Sequence, residues 1–485
     1  MSEIADFATP ILVLAGGLSV AVLSTRVTER LPIPAPALFL VAAAVTSDLW
    51  PDLYAHVPIL TVERVAVVAL IIILFNGGID IGMRRLRASV APVLSLGLAG
   101  TFLTSGAIAT FAHFVLGMDW TLAGLLGAAL APTDPAVMFS VLGRREVGGR
   151  SGTTLEGEAG MNDPAGIALM LGMIELATHD DATALVVGRE FMVEMVVGGA
   201  IGLLGGRLLI PLVRRSRLPS ESLYPVLALM LAGVVYGVAS VAHGSGFLAV
   251  FLAGLMVGDA RLPYKAEIER FQDSLAGLAE VVVFVALGAT IHLSELDARD
   301  WLQGIALIAA LAIVIRPVVV AITLSIVRMT RAEKAFIAFS GLKGAVPVLL
   351  AAFAILGDAP DAQRIYKLVF VAVLVSVVAQ GSLVPFVAKR LGIPMRLRDR
   401  LPWELSVRVG QEPTGAREYS VAANSRADGV ALGQLPLGED AWVTLVVRDG
   451  DALQPNAKLQ LRAGDRLLIL SEGPDDLHKL RSLFG

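Results

Sequence analysis

The residues best suited to chemistry lie in the stretch Thr154–Leu169, where acids and an amide interrupt a long apolar run. Glu158, Asn162 and Asp163 stand at positions i, i+4 and i+5, which places them near one face of a helix. Pro164 follows directly; because proline cannot donate a backbone hydrogen bond, it leaves carbonyl oxygens free to meet a cation or water. A carboxylate at the centre of a membrane costs roughly 2.5–3.5 kcal/mol on insertion scales, so such acids indicate a functional site. The alternative is a loop between two helices, with the Asn-Asp-Pro sequence as its turn.

The composition is that of a polytopic membrane protein. Of 485 residues, 55% are hydrophobic and 17% are charged, whereas soluble domains average roughly 45–50% and about 25%. Cysteine is absent from the sequence, which excludes disulfides and thiol chemistry but leaves the compartment undecided. Glu3 and Asp6, and no basic residue, precede the first apolar run. This pattern argues against a cleaved signal peptide and predicts that the first helix is retained as a membrane span.

Thirteen apolar segments predict membrane spans. They lie near residues 8–27, 34–48, 59–80, 89–116, 119–142, 153–177, 184–213, 222–242, 244–260, 272–291, 301–327, 333–356 and 365–390. Arginine and lysine concentrate in alternate loops, and aspartate dominates the others. Because positive loops stay in the cytoplasm, we expect the N-terminus outside and the C-terminus inside.

Two of these spans are interrupted at matching places in the two halves of the chain. The fifth contains Ala131-Pro-Thr-Asp-Pro135 and the twelfth contains Gly341-Leu-Lys-Gly-Ala-Val-Pro347, so Asp134 and Lys343 each stand beside an unwound backbone. Carriers built from inverted repeats have such pairs, whose half-helix ends offer carbonyls to a cation and amides to an anion. Spans one to six and eight to thirteen would form two six-helix repeats, with the seventh as linker. Two ordinary kinked helices are the alternative.

Arg316 is a further charge within an apolar span, directly before Pro317. An unpaired arginine at membrane depth is heavily penalised, so Arg316 needs a carboxylate. We expect Glu158 to be its partner, because Asp163 must stay free to titrate. Alternatively, Arg316 extends to the membrane interface.

The composition changes near Arg396, and residues 401–485 alternate apolar and polar side chains, as in Ala441–Arg448 and Arg466–Ser471. This pattern predicts strands joined by turns, with a short closing helix from Pro474 to Phe484. The sequence thus predicts a transmembrane exchange domain over residues 1–395 and a small β-rich cytoplasmic domain over 401–485.

Other polar residues are weaker candidates. Asn76, Asp80 and Asp259 lie near cytoplasmic span ends, where a structural role is ordinary, and His243 sits in a short outer turn. Glu156 either faces a cytoplasmic opening or ends a helix. The sequence shows no metal-ligand cluster, phosphate-binding glycine loop or nucleophile elbow.

On these residues the membrane part resembles monovalent cation:proton antiporters of the NhaP type. The resemblance rests on four motifs: Thr133-Asp134-Pro135, Glu158 with Asn162-Asp163-Pro164, Arg316-Pro317, and Gly341-Leu-Lys-Gly-Ala345. The C-terminal domain resembles the TrkA-C (RCK-C) module. Together the two parts resemble the bacterial potassium/proton antiporters linked to cell-volume regulation.

The resemblance implies an all-α membrane fold of thirteen helices with crossed broken helices, assembled as a homodimer in the bacterial inner membrane, plus a small cytoplasmic α+β domain. It implies that Asp163 takes the cation or the proton in exchange. Asn162, Asp134 and the Thr133 backbone would shape the site for K⁺ or Na⁺, and Glu158 would pair with Arg316. It implies no cofactor and no nucleic-acid partner, although the C-terminal domain would take a small ligand such as a nucleotide.

Two positions depart from the family pattern. Ala159 stands where sodium-selective relatives often have a serine oxygen, which favours K⁺ over Na⁺. Lys343 stands where the family often has arginine, so the charge is kept while the forked geometry of a guanidinium is lost.

Three other classes of protein fit the sequence less well than an exchanger. A channel would show a filter-like motif, which the sequence lacks. A transporter of organic anions would need a basic midplane, whereas acids dominate here. An intramembrane enzyme would need a nucleophile–base pair, and none is visible. A single carboxylate that binds either a proton or a cation couples the two fluxes without ATP. The sequence therefore predicts a secondary antiporter that works by alternating access, with an electroneutral exchange of one cation for one proton.

Overall fold

The computed structural model describes Ser19 and residues 34–50, 58–134, 137–138, 142, 145–179, 182–325, 327–397, 416–422, 425–437, 441–448, 451–471 and 483–484. The chain divides into two compact units, Met1–Arg398 and Asp399–Gly485. The span expected at 8–27 lies outside the described residues except for Ser19, and so does the closing helix except for its last two residues.

The first unit is helical. In chain order its helices are α1 (Ala35–Leu49), α2 (Ile59–Ala88), α3 (Val90–Phe114), α4 (Trp120–Leu130), α5 (Gly149–Thr178), α6 (Ala184–Arg215), α7 (Leu223–Val241), α8 (Gly246–Gly258), α9 (Lys265–Ala289), α10 (Ala298–Thr323), α11 (Arg331–Phe339), α12 (Ala345–Leu356) and α13 (Ala362–Arg390). Within the described residues, seven helices are long and apolar enough to cross a membrane, and α1, α4, α8 and α12 are shorter apolar helices. The structure therefore has the helical membrane architecture that the sequence predicts.

Local sequence signals explain several helix starts. Asp119 caps α4 by accepting hydrogen bonds from the backbone N–H groups of Thr121 and Leu122, both at 3.1 Å. Thr330 and Glu333 form a reciprocal capping box at the start of α11. Such caps satisfy backbone donors that would otherwise lack partners at a helix end.

The stretch that carries the acids is helix and not a loop. Helix α5 continues through Pro164, and every residue from Gly157 to Ala168 is buried. The alternative of an Asn-Asp-Pro turn is therefore wrong. Pro164 is accommodated inside the helix, which neighbouring helices surround.

Both expected breaks are present. Helix α4 ends at Leu130, and Ala131 to Asp134 are not helical. Helix α11 ends at Phe339 and α12 begins at Ala345, with an extended segment between them. The two breaks touch, because the backbone N–H of Asp134 donates to the carbonyl of Leu342 at 2.8 Å.

A short antiparallel pair of strands, β1 (Arg145–Val147) and β2 (Met395–Leu397), lies beside the start of α5. The backbone N–H of Gly148 extends this pairing by donating to the carbonyl of Pro394 at 2.8 Å. The end of the membrane unit is thereby fastened to the segment that leads into α5.

The second unit contains a four-stranded antiparallel sheet. Its strands are β3 (Ala416–Ser420), β4 (Ala441–Arg448), β5 (Asp451–Leu453) and β6 (Arg466–Ser471), in the order β3-β6-β4-β5. Strands β4 and β6 are the two that the alternating pattern predicts. Val446, Leu467 and Ile469 are fully buried beneath the sheet, as expected for one apolar face.

Candidate ion-binding site

The site is built where α5 passes the two helix breaks, which contact each other. Glu158, Asn162 and Asp163 are all buried on α5, with relative exposures of 1%, 1% and 7%. Thr133 and Lys343 come from the two breaks and are buried as well, while Asp134 is half-buried. The fold thus brings together the acids of one helix and the charged residues of two distant segments.

Glu158 forms the ion pair with Arg316 that we expected. The two guanidinium nitrogens of Arg316 donate to the two carboxylate oxygens, with Nη1–Oε1 at 2.6 Å and Nη2–Oε2 at 2.8 Å. A parallel two-bond arrangement of this kind is the strongest form of this contact. The side chain of Arg316 is 4% exposed, so the alternative that it extends to the membrane interface is wrong.

A polar chain continues from this ion pair. Thr133 Oγ1 lies 3.5 Å from Glu158 Oε1, a long contact, and accepts a hydrogen bond from Asn162 Nδ2 at 2.8 Å. The side chain of Thr133 therefore takes part, whereas the sequence suggested only its backbone. Asn162 Oδ1 is left without a hydrogen-bond partner among the described residues.

Asp163 has a different environment from Glu158. Its Oδ1 is buried and has no hydrogen-bond partner in the described part of the chain. The carboxylate lies within electrostatic range of Asp134 and of Lys343. Buried polar groups in proteins nearly always have a partner, so this oxygen is available to a proton, a cation or water.

Each break places its charge against the other half-helix. Lys343 Nζ donates to the carbonyl oxygens of Ala131 and Pro132, at 3.0 and 2.8 Å, just beyond the C-terminal end of α4. The carboxylate of Asp134 packs against Gly344, at the N-terminal end of α12, so closely that a Cβ there would overlap it. A cation at a helix C-terminus and an anion at an N-terminus are each the favourable choice.

The second break is held by neighbours on α10 and α13. The backbone N–H of Lys343 donates to Ser376 Oγ at 3.0 Å, and Ser376 in turn donates to Gln380 at 3.2 Å. Gly341 lies against the Arg316 guanidinium and leaves no room there for a side chain. The extended segment is thus positioned by specific contacts.

The polar residues near the span ends make different kinds of contact. Asp259 accepts the backbone N–H of Arg84 at 2.7 Å, in keeping with a structural role, and His243 lies exposed in a turn. Asn76 donates to Asp80 Oδ2 at 3.3 Å and to Asp273 Oδ1 at 3.1 Å, so it bridges α2 and α9.

Glu280, in the middle of α9, was not among the predicted site residues. Its Oε1 is buried without a hydrogen-bond partner among the described residues, and its carboxylate lies within electrostatic range of Asp134. The rule that singled out Asp163, an acid inside an apolar span, would have found it.

The fold and these side chains define a class: a polytopic carrier with a buried carboxylate beside two helix breaks that contact each other. The transmembrane sodium/hydrogen exchanger family matches residues 17–390, and the TrkA-C domain family matches residues 416–485. The chain therefore belongs to the sodium/hydrogen exchanger family, and it is an ion exchanger and not an enzyme. The resemblance noted in the sequence is confirmed for both parts.

Relatives extend the match over nearly the whole chain. The K(+)/H(+) antiporter NhaP of Alkalimonas amylolytica is 30% identical over 96% of this chain and 81% of its own length. The K(+)/H(+) antiporter NhaP2 of Shewanella sp. (strain ANA-3) is 31% identical with the same coverage. Among solved structures, the sodium proton antiporter MjNhaP1 of Methanocaldococcus jannaschii has a TM-score of 0.68 at 24% identity, covering 79% of this chain and 99% of its own. That structure supports the fold.

Proposed function

We propose that this protein exchanges a monovalent cation for a proton at Asp163, and that K⁺ is the main cation. The observation that carries the proposal is the buried, unpartnered Oδ1 of Asp163 beside an unwound backbone. A carboxylate in this position holds one proton or one cation at a time. That competition couples the two fluxes.

The remaining ligands of the cation come from the same cluster. In this proposal Asp134, Thr133 and Asn162 offer the cation carboxylate, hydroxyl, carbonyl and amide oxygens, which are the donors that K⁺ and Na⁺ prefer. The side chain of Ala159 supplies no oxygen, which weakens a sodium assignment, and the names of the two relatives above support K⁺. Na⁺ is the second candidate, because the Na(+)/H(+) antiporter NhaH of Halobacillus dabanensis is 28% identical over 66% of this chain.

Glu158 has no part in this exchange except to hold the site. Because the charge of Glu158 is neutralised by Arg316, Asp163 is the carboxylate of α5 that titrates in this proposal, and the exchange is one cation for one proton. In this proposal the helices around the crossed breaks move against the remaining helices and expose Asp163 alternately to the two sides. Thirteen spans in two inverted repeats, a homodimer, and an outside N-terminus in a bacterial inner membrane belong to the same proposal.

The membrane part and the C-terminal domain have different roles in this proposal. Residues 1–395 form the exchanger, and residues 401–485 regulate it in the cytoplasm in response to a small ligand such as a nucleotide. The basic segment Lys389–Arg400 joins them and suits the anionic inner leaflet.

Flux measurements test the proposal. We expect the purified protein in proteoliposomes to exchange protons for K⁺ and Rb⁺ more effectively than for Na⁺ or Li⁺, with no net charge movement. Asp163→Asn should lose this exchange and remain folded. Asp358→Asn, the same change at an exposed loop position, should match the wild type. Exchange at the wild-type rate in Asp163→Asn would exclude the mechanism, and cation conductance without an opposing proton gradient would indicate a channel.

A further inference from the structure

Unpartnered buried polar atoms occur in a second region of the membrane unit, on α2 and α9. Gln272 is fully buried, and neither of its side-chain polar atoms has a hydrogen-bond partner among the described residues. Asn76, 9% exposed, has an unpartnered Oδ1, and Glu280 has an unpartnered Oε1. In a membrane interior such atoms cost several kcal/mol each unless water or an ion meets them.

These residues form a line that leads toward the ion site. The hydrogen bond from Asn76 to Asp273 places Asn76 level with the first third of α9, next to Gln272. Glu280 follows eight residues after Gln272, which at the rise of an α-helix is about 12 Å deeper. Glu280 in turn lies within electrostatic range of Asp134, which borders Asp163.

The outer end of this line faces the basic side of the protein. Helix α2 continues for about three turns beyond Asn76 and ends with Arg84, Arg85 and Arg87, and α9 begins at Lys265. By the charge rule this side is cytoplasmic. Asn76, Gln272 and Glu280 thus follow one another along the axis of α9, from the basic side of the protein toward Asp134.

Resting on the proposed function, we infer that Glu280 is a second cation-accepting carboxylate, which receives the cation between the cytoplasm and Asp163. Gln272 and Asn76 line the polar path that leads to it. Their amide groups replace part of the water that a monovalent cation loses on entering the membrane, and the charge of Glu280 holds the cation before Asp163 takes it. Arg270 and Asp273 stand on the same helix, nearer its N-terminal end than Glu280.

Side-specific kinetics test this inference. Everted membrane vesicles present the cytoplasmic face to added cation, and right-side-out vesicles present the other face. Glu280→Gln should raise the apparent KM for Rb⁺ at the cytoplasmic face by roughly tenfold, because one unit charge near the cation is lost. The maximal rate and the KM at the opposite face should stay within about twofold of the wild type. Glu280→Asp should restore part of the affinity.

Glu267→Gln is the matched control, since Glu267 is exposed on the same helix and carries the same group. We expect it to behave as the wild type. Gln272→Leu should lower the ratio of maximal rate to KM at the cytoplasmic face alone. If Glu280→Gln does not fold or insert into the membrane, the Gln272→Leu variant tests the inference in its place.

A binding measurement separates this carboxylate from Asp163. Rb⁺ should still raise the unfolding temperature of Asp163→Asn and should no longer do so in Asp163→Asn with Glu280→Gln. An unchanged KM in Glu280→Gln, or a lost maximal rate with unchanged KM, overturns the inference. If Asp163→Asn is inactive and Glu280→Gln is normal at both faces, this inference alone fails; if Asp163→Asn exchanges ions, the proposed function fails.

Discussion

Glu158 and Asp163 are five residues apart on one buried helix, yet their surroundings differ completely. Both oxygens of Glu158 receive hydrogen bonds from Arg316, whereas Asp163 Oδ1 has no partner in the described part of the chain. A paired carboxylate keeps its charge and holds its neighbours in place. An unpaired one can exchange what it binds, so the partner and not the residue type separates the two roles.

The ion pair gives the first prediction at this scale. Glu158→Gln or Arg316→Gln alone leaves one buried group uncompensated, which typically costs about 3–5 kcal/mol. The double variant should be more stable than either single variant, as thermal unfolding of the purified protein would show. Arg364→Gln, at a half-buried arginine that bonds Gln303, should change stability far less. Equal unfolding temperatures for single and double variants would contradict a coupled pair.

At the scale of elements, the crossing of the two breaks depends on close backbone approach. Asp134 and Lys343 each reach the end of the opposite half-helix, and the space at Gly344 is filled by the Asp134 carboxylate. Side chains that oppose the helix dipoles allow two half-helices to meet inside a membrane.

Gly344→Ala should therefore displace Asp134 and slow exchange about tenfold or more, since small misplacements near a reacting group have large effects. Gly233→Ala is the control, because nothing lies within 4 Å of a Cβ built at Gly233 on α7. It should leave flux unchanged. Normal exchange in Gly344→Ala liposomes would show that the contact between Asp134 and α12 does not matter for transport.

A second prediction at this scale concerns the sheet of the C-terminal unit. Burial by itself would raise the pKa of Asp465, but hydrogen bonds from Arg448 and from the backbone N–H of Arg462, with their positive charges, hold the pKa below its ordinary value. Arg448 Nε and Nη2 lie 2.8 and 2.7 Å from the carboxylate. The contact joins the end of β4 to the residue before β6.

A lowered folded-state pKa means that the ionised form stabilises the fold. The contribution of Asp465 should be complete above its ordinary pKa near 3.8 and should disappear as the pH falls through the lower folded value. Hydrogen exchange in β4 and β6 of the full-length protein should be faster in Asp465→Asn at neutral pH, and this difference should vanish in strong acid. A difference that persists unchanged in acid would contradict the pairing.

At the scale of the whole molecule, the chain joins a membrane exchanger to a separate sheet domain. Truncation after residue 400 keeps β2 and its pairing with β1, so the membrane unit should still fold. We expect the truncated protein to exchange cations for protons with a changed pH profile or without control by nucleotides. Flux over a pH series, for both proteins in matched liposomes, measures this.

The alternative is that the domain only clamps the assembly. A truncated protein that cannot be purified as a dimer would favour the clamp. An intact truncated dimer whose rate, pH profile and nucleotide response all equal those of the full-length protein would show that the domain does not regulate.

The sequence by itself determined the features that depend on local composition. Long apolar runs predicted the helices, the Gly and Pro clusters predicted both breaks, and alternation predicted β4 and β6, because each signal is contained in consecutive residues. The pairing of Arg316 with Glu158 could also be predicted, because an unpaired buried charge is very costly. Glu280 could have been found in the same way and was overlooked.

Only the tertiary structure decided which groups meet. In the structure, Lys343 donates hydrogen bonds to the carbonyls of Ala131 and Pro132. The side chain of Thr133 accepts one from Asn162, and Asn76 on α2 donates one to Asp273 on α9. These partners are separated by tens to hundreds of residues, and no local pattern records which faces of two helices touch. The packing of whole helices, and the buried polar atoms that this packing leaves with or without partners, decides where a cation can be held.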